Sequence, residues 1–93
     1  MDLTRAVIKV ADHVMFTVVE NEAIIIDTES GKYIGLDEVG TRILEILSET
    51  GSAEKVIQTL LKEYNTSEAQ LTQDVENFIE EFKTRGLVEI REE

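Results

Sequence analysis

The sequence predicts an α+β fold similar to a winged helix-turn-helix, with a three-stranded antiparallel sheet followed by three helices. Residues 14–36 are rich in β-branched side chains and are divided by two turn signals, which favours short strands. From residue 37 onward, apolar side chains recur every three or four residues, as in amphipathic helices. A chain of 93 residues is long enough for one core, so we expect a single domain over residues 1–93.

The strands are predicted from short apolar runs and the turns between them. Asn21 tolerates a left-handed backbone and marks the first turn, and Gly31 supplies a positive φ in the second. Three consecutive isoleucines in the second strand predict burial on both of its faces. The predicted strands are residues 14–19, 23–27 and 32–36, with residues 7–10 as a further candidate.

The helices are predicted from their first residues and their stop signals. Asp37, Ser52 and Ser67 are N-cap residue types, and Gln70 is placed to complete a capping box with Ser67. Gly51 ends the first helix, and glycine at position 86 ends the third. Residues 87–90 are predicted to be extended, and residues 91–93 are predicted to be frayed.

Composition excludes several classes of function. The net charge of −11 opposes binding to nucleic acid or to anionic lipid, because both would be repelled. The second predicted helix offers Lys55, Gln58 and Lys62 to a DNA groove, but Glu54 and Glu63 accompany them. The sequence contains no cysteine, no apolar run near the roughly 20 residues of a membrane span and no export signal. We therefore expect a cytoplasmic protein without a membrane or nucleic-acid partner.

The sequence carries no visible catalytic or metal-binding constellation. His13 is the only histidine, and no second ligand stands at metal spacing from it. No glycine-rich phosphate-binding pattern follows any predicted strand. We expect no enzyme activity, no metal and no cofactor.

The third predicted strand suggests a binding edge. If residues 32–36 end the sheet and the chain then leaves for a helix, one edge stays unpaired. An extended peptide can add itself to such an edge as a further strand. Ile34→Pro is expected to remove a donor from that edge. Tyr33 either contacts such a peptide or braces the first helix, and both interpretations remain open.

An apolar face on a helix is usually core, but part of the face of the third predicted helix is expected to stay exposed and form a wall beside this edge. Its apolar positions fall on one face and are Leu71, Val75, Phe78, Ile79 and Phe82. Asp74 and Arg85 flank this face on one side, and Thr72 and Lys83 flank it on the other. These polar side chains are placed to orient a bound peptide by charge.

Three segments together resemble a known family. They read "IIIDTESGKYIGLDEVGTRILEIL", "LLKEY" and "LTQDVENFIEEFKTRGLVE". An apolar strand ending in Asp, a Gly-Lys-Tyr turn, a Leu-Asp-x-x-Gly helix start and a late Gly-Leu-Val are similar to the pattern of PqqD-like proteins. These are the peptide-recognition elements of ribosomal natural-product pathways, and the match spans about residues 14–89.

The resemblance implies a site and a role. Family members hold the leader part of a precursor peptide as an added strand against the third strand and the third helix, without a cofactor. The peptide-binding residues implied here are Lys32, Tyr33, Ile34, Gly35, Leu71, Asp74, Val75, Phe78 and Phe82. The expected function is a non-catalytic protein that captures a leader peptide and presents it to a modifying enzyme. The alternative is an acidic winged-helix regulatory or protein-interaction domain that binds no leader.

The spacing through "GKY" to "LDEVG" looks most like the stand-alone recognition proteins of lasso-peptide clusters. Those proteins deliver a leader to a cysteine protease, whereas the pyrroloquinoline-quinone branch presents its precursor to a radical enzyme. Many family members carry Trp where this chain has Leu44. Both partner classes, leader protease and radical modifying enzyme, therefore stand as expectations.

Overall fold

A computed structural model describes residues 5–92 and contains two small sheets and three helices. In chain order the elements are β1 (Ala6–Val10), β2 (Val14–Val19), β3 (Glu22–Asp27), β4 (Lys32–Gly35), α1 (Glu38–Thr50), α2 (Ala53–Glu63), α3 (Glu68–Thr84) and β5 (Val88–Glu92). The predicted α+β class is confirmed, with the antiparallel meander β2-β3-β4 preceding the helices.

The meander is shaped by two tight turns. Glu20 and Asn21 form a two-residue loop with φ of 52° and 67°, which matches the right-handed twist of the strands they join. Gly31 has a φ of 74° in the second turn, as its sequence position predicts. The strand bounds agree with the predicted ones to within one residue, although β4 ends at Gly35.

The second sheet joins the two ends of the described chain. β1 confirms the candidate strand at residues 7–10, and it pairs antiparallel with β5. The predicted fraying of residues 91–93 was wrong for Arg91 and Glu92, which pair with Val7 and Ala6. Glu93 lies outside the described residues.

The helices begin at the predicted caps. The side chains of Asp37, Ser52 and Ser67 accept hydrogen bonds from the third residue after each of them. The capping box at Ser67 is only half formed, because the Gln70 amide donates to Asp74 at 2.9 Å instead. Gly51 ends α1 in the left-handed conformation with a φ of 67°.

The core fills the space between the helices and one face of the meander. Ile25 of β3, Leu44 of α1 and Ile79 of α3 are completely buried in it. The opposite face is open, and Ile24 is 43% exposed there. The predicted burial of β3 on both faces was therefore wrong, because the helices cover only one side of the sheet.

Thr41 of α1 anchors the meander to the helices. Its buried hydroxyl accepts a hydrogen bond from the backbone N–H of Ala23 at 2.7 Å and donates to the carbonyl oxygen of Leu36 at 3.5 Å. One side chain thus ties α1 to β3 and to the residue that follows β4.

Candidate binding edge and groove

β4 forms one edge of the meander, and within residues 5–92 its only strand partner is β3. The N–H of Leu36 donates to the carbonyl of Ala23 at 2.9 Å, which fixes the alternation of the ladder. In the observed register, Ile34 therefore points its backbone groups toward Ile25 of β3. The N–H and C=O groups of Tyr33 and Gly35 point away from the sheet.

This alternation corrects the predicted proline test. The N–H of Ile34 belongs to the internal β3-β4 ladder, so a proline there would break the sheet. Tyr33 is the residue at which proline removes an outward donor and leaves the ladder intact. The hydrophobic pattern gives the faces of a strand, but it does not reveal which backbone groups face outward.

A groove of about 520 Å³ lies along this edge. Its lining residues are Asp27, Ser30, Lys32, Tyr33, Ile34, Arg85 and Leu87. Half-buried Ile34 supplies apolar surface, and Lys32 and Arg85 supply positive charge, whereas Leu87 is only 1% exposed and forms the floor of the groove. An apolar surface beside unpaired backbone groups is suited to an extended peptide.

The four β4 residues predicted to contact a peptide divide between two grooves. Lys32, Tyr33 and Ile34 line the first, whereas Gly35 lies in a second groove of about 460 Å³ with Ile24. The second groove also includes Val19, Glu20 and Glu22 of the β2–β3 hairpin, so it meets β4 only at the Gly35 end.

Tyr33 stands out from the sheet. Its side chain is 72% exposed, so the interpretation in which it braces the first helix is wrong. Tyr33 shares the open face of the sheet with Ile26, its neighbour across the ladder.

The α3 residues predicted as a wall occupy other places. Leu71, Val75 and Phe82 are at most 4% exposed and belong to the core. A peptide can contact these three only if the side chains covering them move. Apolar periodicity identifies one face of α3 but not what that face contacts. The sequence alone therefore did not separate a peptide-binding wall from a face buried in the core.

Two further α3 positions are nearer the surface. Phe78 is half-buried and stacks on Phe82, with their ring centroids 4.1 Å apart. Asp74 is exposed and lies about 16 Å along the helix axis from Arg85, at ~1.5 Å per residue. Asp74 is not among the residues that line the groove beside β4.

The wall beside β4 comes instead from the end of α3. Arg85 caps the helix, Gly86 turns the chain with a φ of 74°, and the N–H of Leu87 donates to the carbonyl of Phe82 at 2.9 Å. This turn brings Arg85 and Leu87 to the groove. Sequence reasoning placed Arg85 beside the apolar helix face but missed Leu87, whose signal was its position directly after the glycine stop.

Asp27 holds the turn at the entrance of the groove. Its carboxylate accepts hydrogen bonds from the N–H groups of Glu29 at 2.9 Å and Ser30 at 3.3 Å, and it lies 3.8 Å from the His13 ring. Burial opposes ionisation of this carboxyl, but the hydrogen bonds from Ser30 and Glu29, together with the charge of His13, bring its pKa below the usual value. Asp27 is therefore ionised at neutral pH and stabilises the turn that leads into β4.

Among residues 5–92, no three histidine, cysteine or carboxylate side chains cluster closely enough to hold a metal ion. No helix in this same part of the chain is both long and apolar enough to cross a membrane.

Comparisons with known proteins found a matching family model and similar solved structures. The family model described as coenzyme PQQ synthesis protein D (PqqD) matches residues 22–88. The structure of TbiB1 in complex with the TbiA(beta) leader peptide is similar, with a TM-score of 0.82 and 28% sequence identity over 87% of this chain and 94% of that one.

A second similar structure is a lasso peptide synthetase B1 complexed with the leader peptide. Its TM-score is 0.81 at 19% identity, over 89% of this chain and 98% of that one, and this likeness concerns the fold. No curated protein sequence matches the chain.

Proposed function

The chain belongs to the PqqD family, and we propose that it captures the leader region of a ribosomally made precursor peptide by strand addition. In this role it is a non-catalytic binding protein that presents the peptide to a modifying enzyme or leader protease. The observation that carries the proposal is the outward-facing backbone of Tyr33 and Gly35 beside the apolar surface of Ile34.

Strand addition uses groups that the fold already holds in place. Tyr33 and Gly35 each offer one N–H and one C=O to an incoming strand. Because side chains alternate along a strand, successive peptide residues would face the Ile34 side and the open side of the sheet in turn. Backbone pairing gives general affinity for an extended chain, and the groove beside β4 gives selectivity.

A related protein supports the identity of the ligand. TbiB1, 28% identical to this chain, is in complex with a leader peptide. A leader peptide is therefore the class of extended ligand that best suits this edge. An acidic regulatory domain that binds no leader would leave both the open edge and its groove without a use.

The next step of the pathway is also part of the proposal. We place the protein in the cytoplasm, where ribosomal precursors are made, and assign the chemistry to a separate enzyme. A leader protease and a radical modifying enzyme are the two partner classes that family resemblance suggests. No metal or cofactor is assigned to this chain.

A proline substitution at the outward-facing position tests strand addition. The proposal predicts a short precursor peptide encoded near the gene for this chain. The probe is the leader of that peptide, synthesised with a fluorescein label, and the measurement is fluorescence anisotropy. Tyr33→Pro removes one outward N–H and the side chain, whereas the matched variant Tyr33→Ala removes only the side chain. We expect Tyr33→Pro to bind the leader about tenfold more weakly than Tyr33→Ala does. Proline removes one backbone hydrogen bond to the peptide, and its ring hinders the approach of the added strand.

The two variants must be equally stable for the comparison to count. Urea unfolding is expected to give similar midpoints, since the Tyr33 N–H has no strand partner among the described residues. Equal leader affinities for Tyr33→Pro and Tyr33→Ala would contradict strand addition at β4. Wild-type protein that does not bind the leader would contradict the function itself.

A further inference from the structure

The groove beside β4 carries a charge opposite to that of the molecule as a whole. The protein has a net charge of −11 from 20 acidic and 9 basic residues. Yet Lys32 and Arg85 line this groove, and among residues 5–92 Asp27 is the only carboxylate that does so. The second groove, at the Gly35 end, is lined by Glu20, Glu22 and Asp37, and no basic residue of the described chain lines it. The edge of β4 therefore runs between a basic end and an acidic end.

Asp27, the acidic residue of this groove, has hydrogen-bond partners within its own turn. Its carboxylate accepts two backbone hydrogen bonds there and lies 3.8 Å from the His13 ring. Within the part of the chain that the structure describes, it forms no ion pair with Lys32 or Arg85.

The two basic groups are available to a ligand. Lys32 is exposed and forms no ion pair with the rest of residues 5–92. Arg85 is paired with Glu81 at 2.9 Å, but both side chains are about half exposed and such pairs contribute little. A guanidinium has five donors, so Arg85 can bind a second carboxylate without releasing Glu81.

The strand geometry places these charges relative to the apolar surface. Ile34 lies opposite Ile25, which is completely buried, so its side chain is on the core-facing side of the sheet. Lys32 precedes it by two residues and lies on the same side. An added strand has the same alternation, so a peptide residue beside Ile34 and a peptide residue beside Lys32 are also two positions apart.

We propose, resting on the leader-binding function above, that the preferred leader carries an aspartate or glutamate two positions from an apolar anchor residue. The apolar side chain packs on Ile34, and the carboxylate binds Lys32 and Arg85. Because the protein as a whole repels anions, the preferred peptide is neutral or cationic overall and has its carboxylate at this one position. The pair of anchors fixes the register in which the leader joins the sheet.

Selection from a random library tests this pattern independently of the natural precursor. Phage-displayed peptides of twelve random residues are selected against immobilised wild-type protein, and a selected peptide is then synthesised with Asp or Asn at the enriched position. We expect an apolar residue and an acidic residue separated by one position, and about two- to fivefold tighter binding of the Asp form. That preference is expected to weaken at high salt.

Charge reversal supplies the matched comparison. Arg85→Glu and Lys32→Glu should abolish or invert the Asp-over-Asn preference. Lys55→Glu makes the same change in net charge on α2, away from the groove, and should leave the preference unchanged. An equal loss of preference in Lys55→Glu would mean that the overall field, and not the groove, selects the peptide, and it would overturn the inference.

Two other results separate this inference from the proposed function. Selected peptides that bind more weakly to Tyr33→Pro than to Tyr33→Ala, yet show no acidic position, would overturn the charge anchor and leave strand addition standing. A failure to select any peptide, together with no binding of the leader of the predicted precursor, would overturn leader binding and the inference with it.

Discussion

The β1 edge and the β4 edge present the same kind of backbone, but only one is closed by the protein itself. The outward N–H of Ile8 in β1 donates to the carbonyl of Gly51 at 2.8 Å, in the turn after α1. The outward groups of Tyr33 and Gly35 in β4 meet no other strand in residues 5–92. Unpaired edges promote association with other chains, and proteins usually protect them.

The difference follows from where the chain goes next. After α1, Gly51 adopts a left-handed conformation and brings the backbone against β1. After β4, Asp37 caps α1 and the chain leaves the sheet at once. A small domain that closes one edge with its own turn and leaves another beside a groove has an edge suited to binding. Substitutions at Thr41, Gly51 and Asp27, in decreasing order of expected effect on stability, test what holds the two edges in place.

Loss of the Thr41 hydroxyl should have the largest effect on stability. Thr41→Val leaves the buried N–H of Ala23 without its acceptor, at a cost of about 1–3 kcal/mol in the free energy of unfolding. Thr41→Ser keeps the hydroxyl and should lose less. Urea unfolding measures both variants, and a Thr41→Val protein as stable as wild type would show that this hydroxyl does not anchor the open-edged sheet.

Opening the closed edge should have the next largest effect. A Cβ at Gly51 would lie 3.2 Å from the carbonyl oxygen of Ile8, and the φ of 67° is unfavourable for alanine. We expect Gly51→Ala to lower the free energy of unfolding by about 1–2 kcal/mol. The leader affinity of the folded protein should not change, because Gly51 lies outside the groove beside β4.

A matched glycine isolates the contact with β1. Gly86 also has a positive φ, of 74°, but a Cβ there would meet no atom within 4 Å. Gly86→Ala therefore reports backbone strain alone and should cost less than Gly51→Ala. Equal costs would mean that the packing of Gly51 against Ile8 does not stabilise the closed edge.

The smallest effect is expected from the charge of Asp27. Its pKa is lowered in the folded state, so its charge stabilises the fold above the unfolded-state pKa, and this contribution is lost as the pH falls through the folded-state pKa. Asp27→Asn keeps an acceptor for the two backbone N–H groups but removes the charge. We expect the variant to be slightly less stable at pH 7 and to show a flatter decline in acid, measured by thermal unfolding between pH 7 and pH 2. Identical pH profiles would mean that the turn does not depend on this charge.

The sequence was most informative where structure is local. Asp37, Ser52 and Ser67 were predicted as caps because one side chain and the nearby backbone decide that role. The same holds for the left-handed turn residues Asn21 and Gly31, whose conformations depend on few neighbours.

The site required the tertiary structure. The outward direction of the Tyr33 backbone depends on the register with β3, which is fixed by turn lengths and by core packing. The spacing of Leu71 and Val75 fits either a peptide-binding helix face or a buried one. The helix packing puts both residues in the core. Leu87 enters the groove through a turn after α3, a path that periodicity does not reveal.

Amide hydrogen exchange at the two edge strands of the meander tests strand addition most directly. In free protein, the N–H groups of Tyr33 and Gly35 should exchange fast and that of Ile34 slowly. Saturating leader peptide should slow exchange at Tyr33 and Gly35, whereas Phe16 and Val18, which face outward on the opposite edge strand β2, should be unaffected. Unchanged exchange at Tyr33 and Gly35 with the leader bound, or new protection at Phe16 and Val18 instead, would contradict peptide binding at β4.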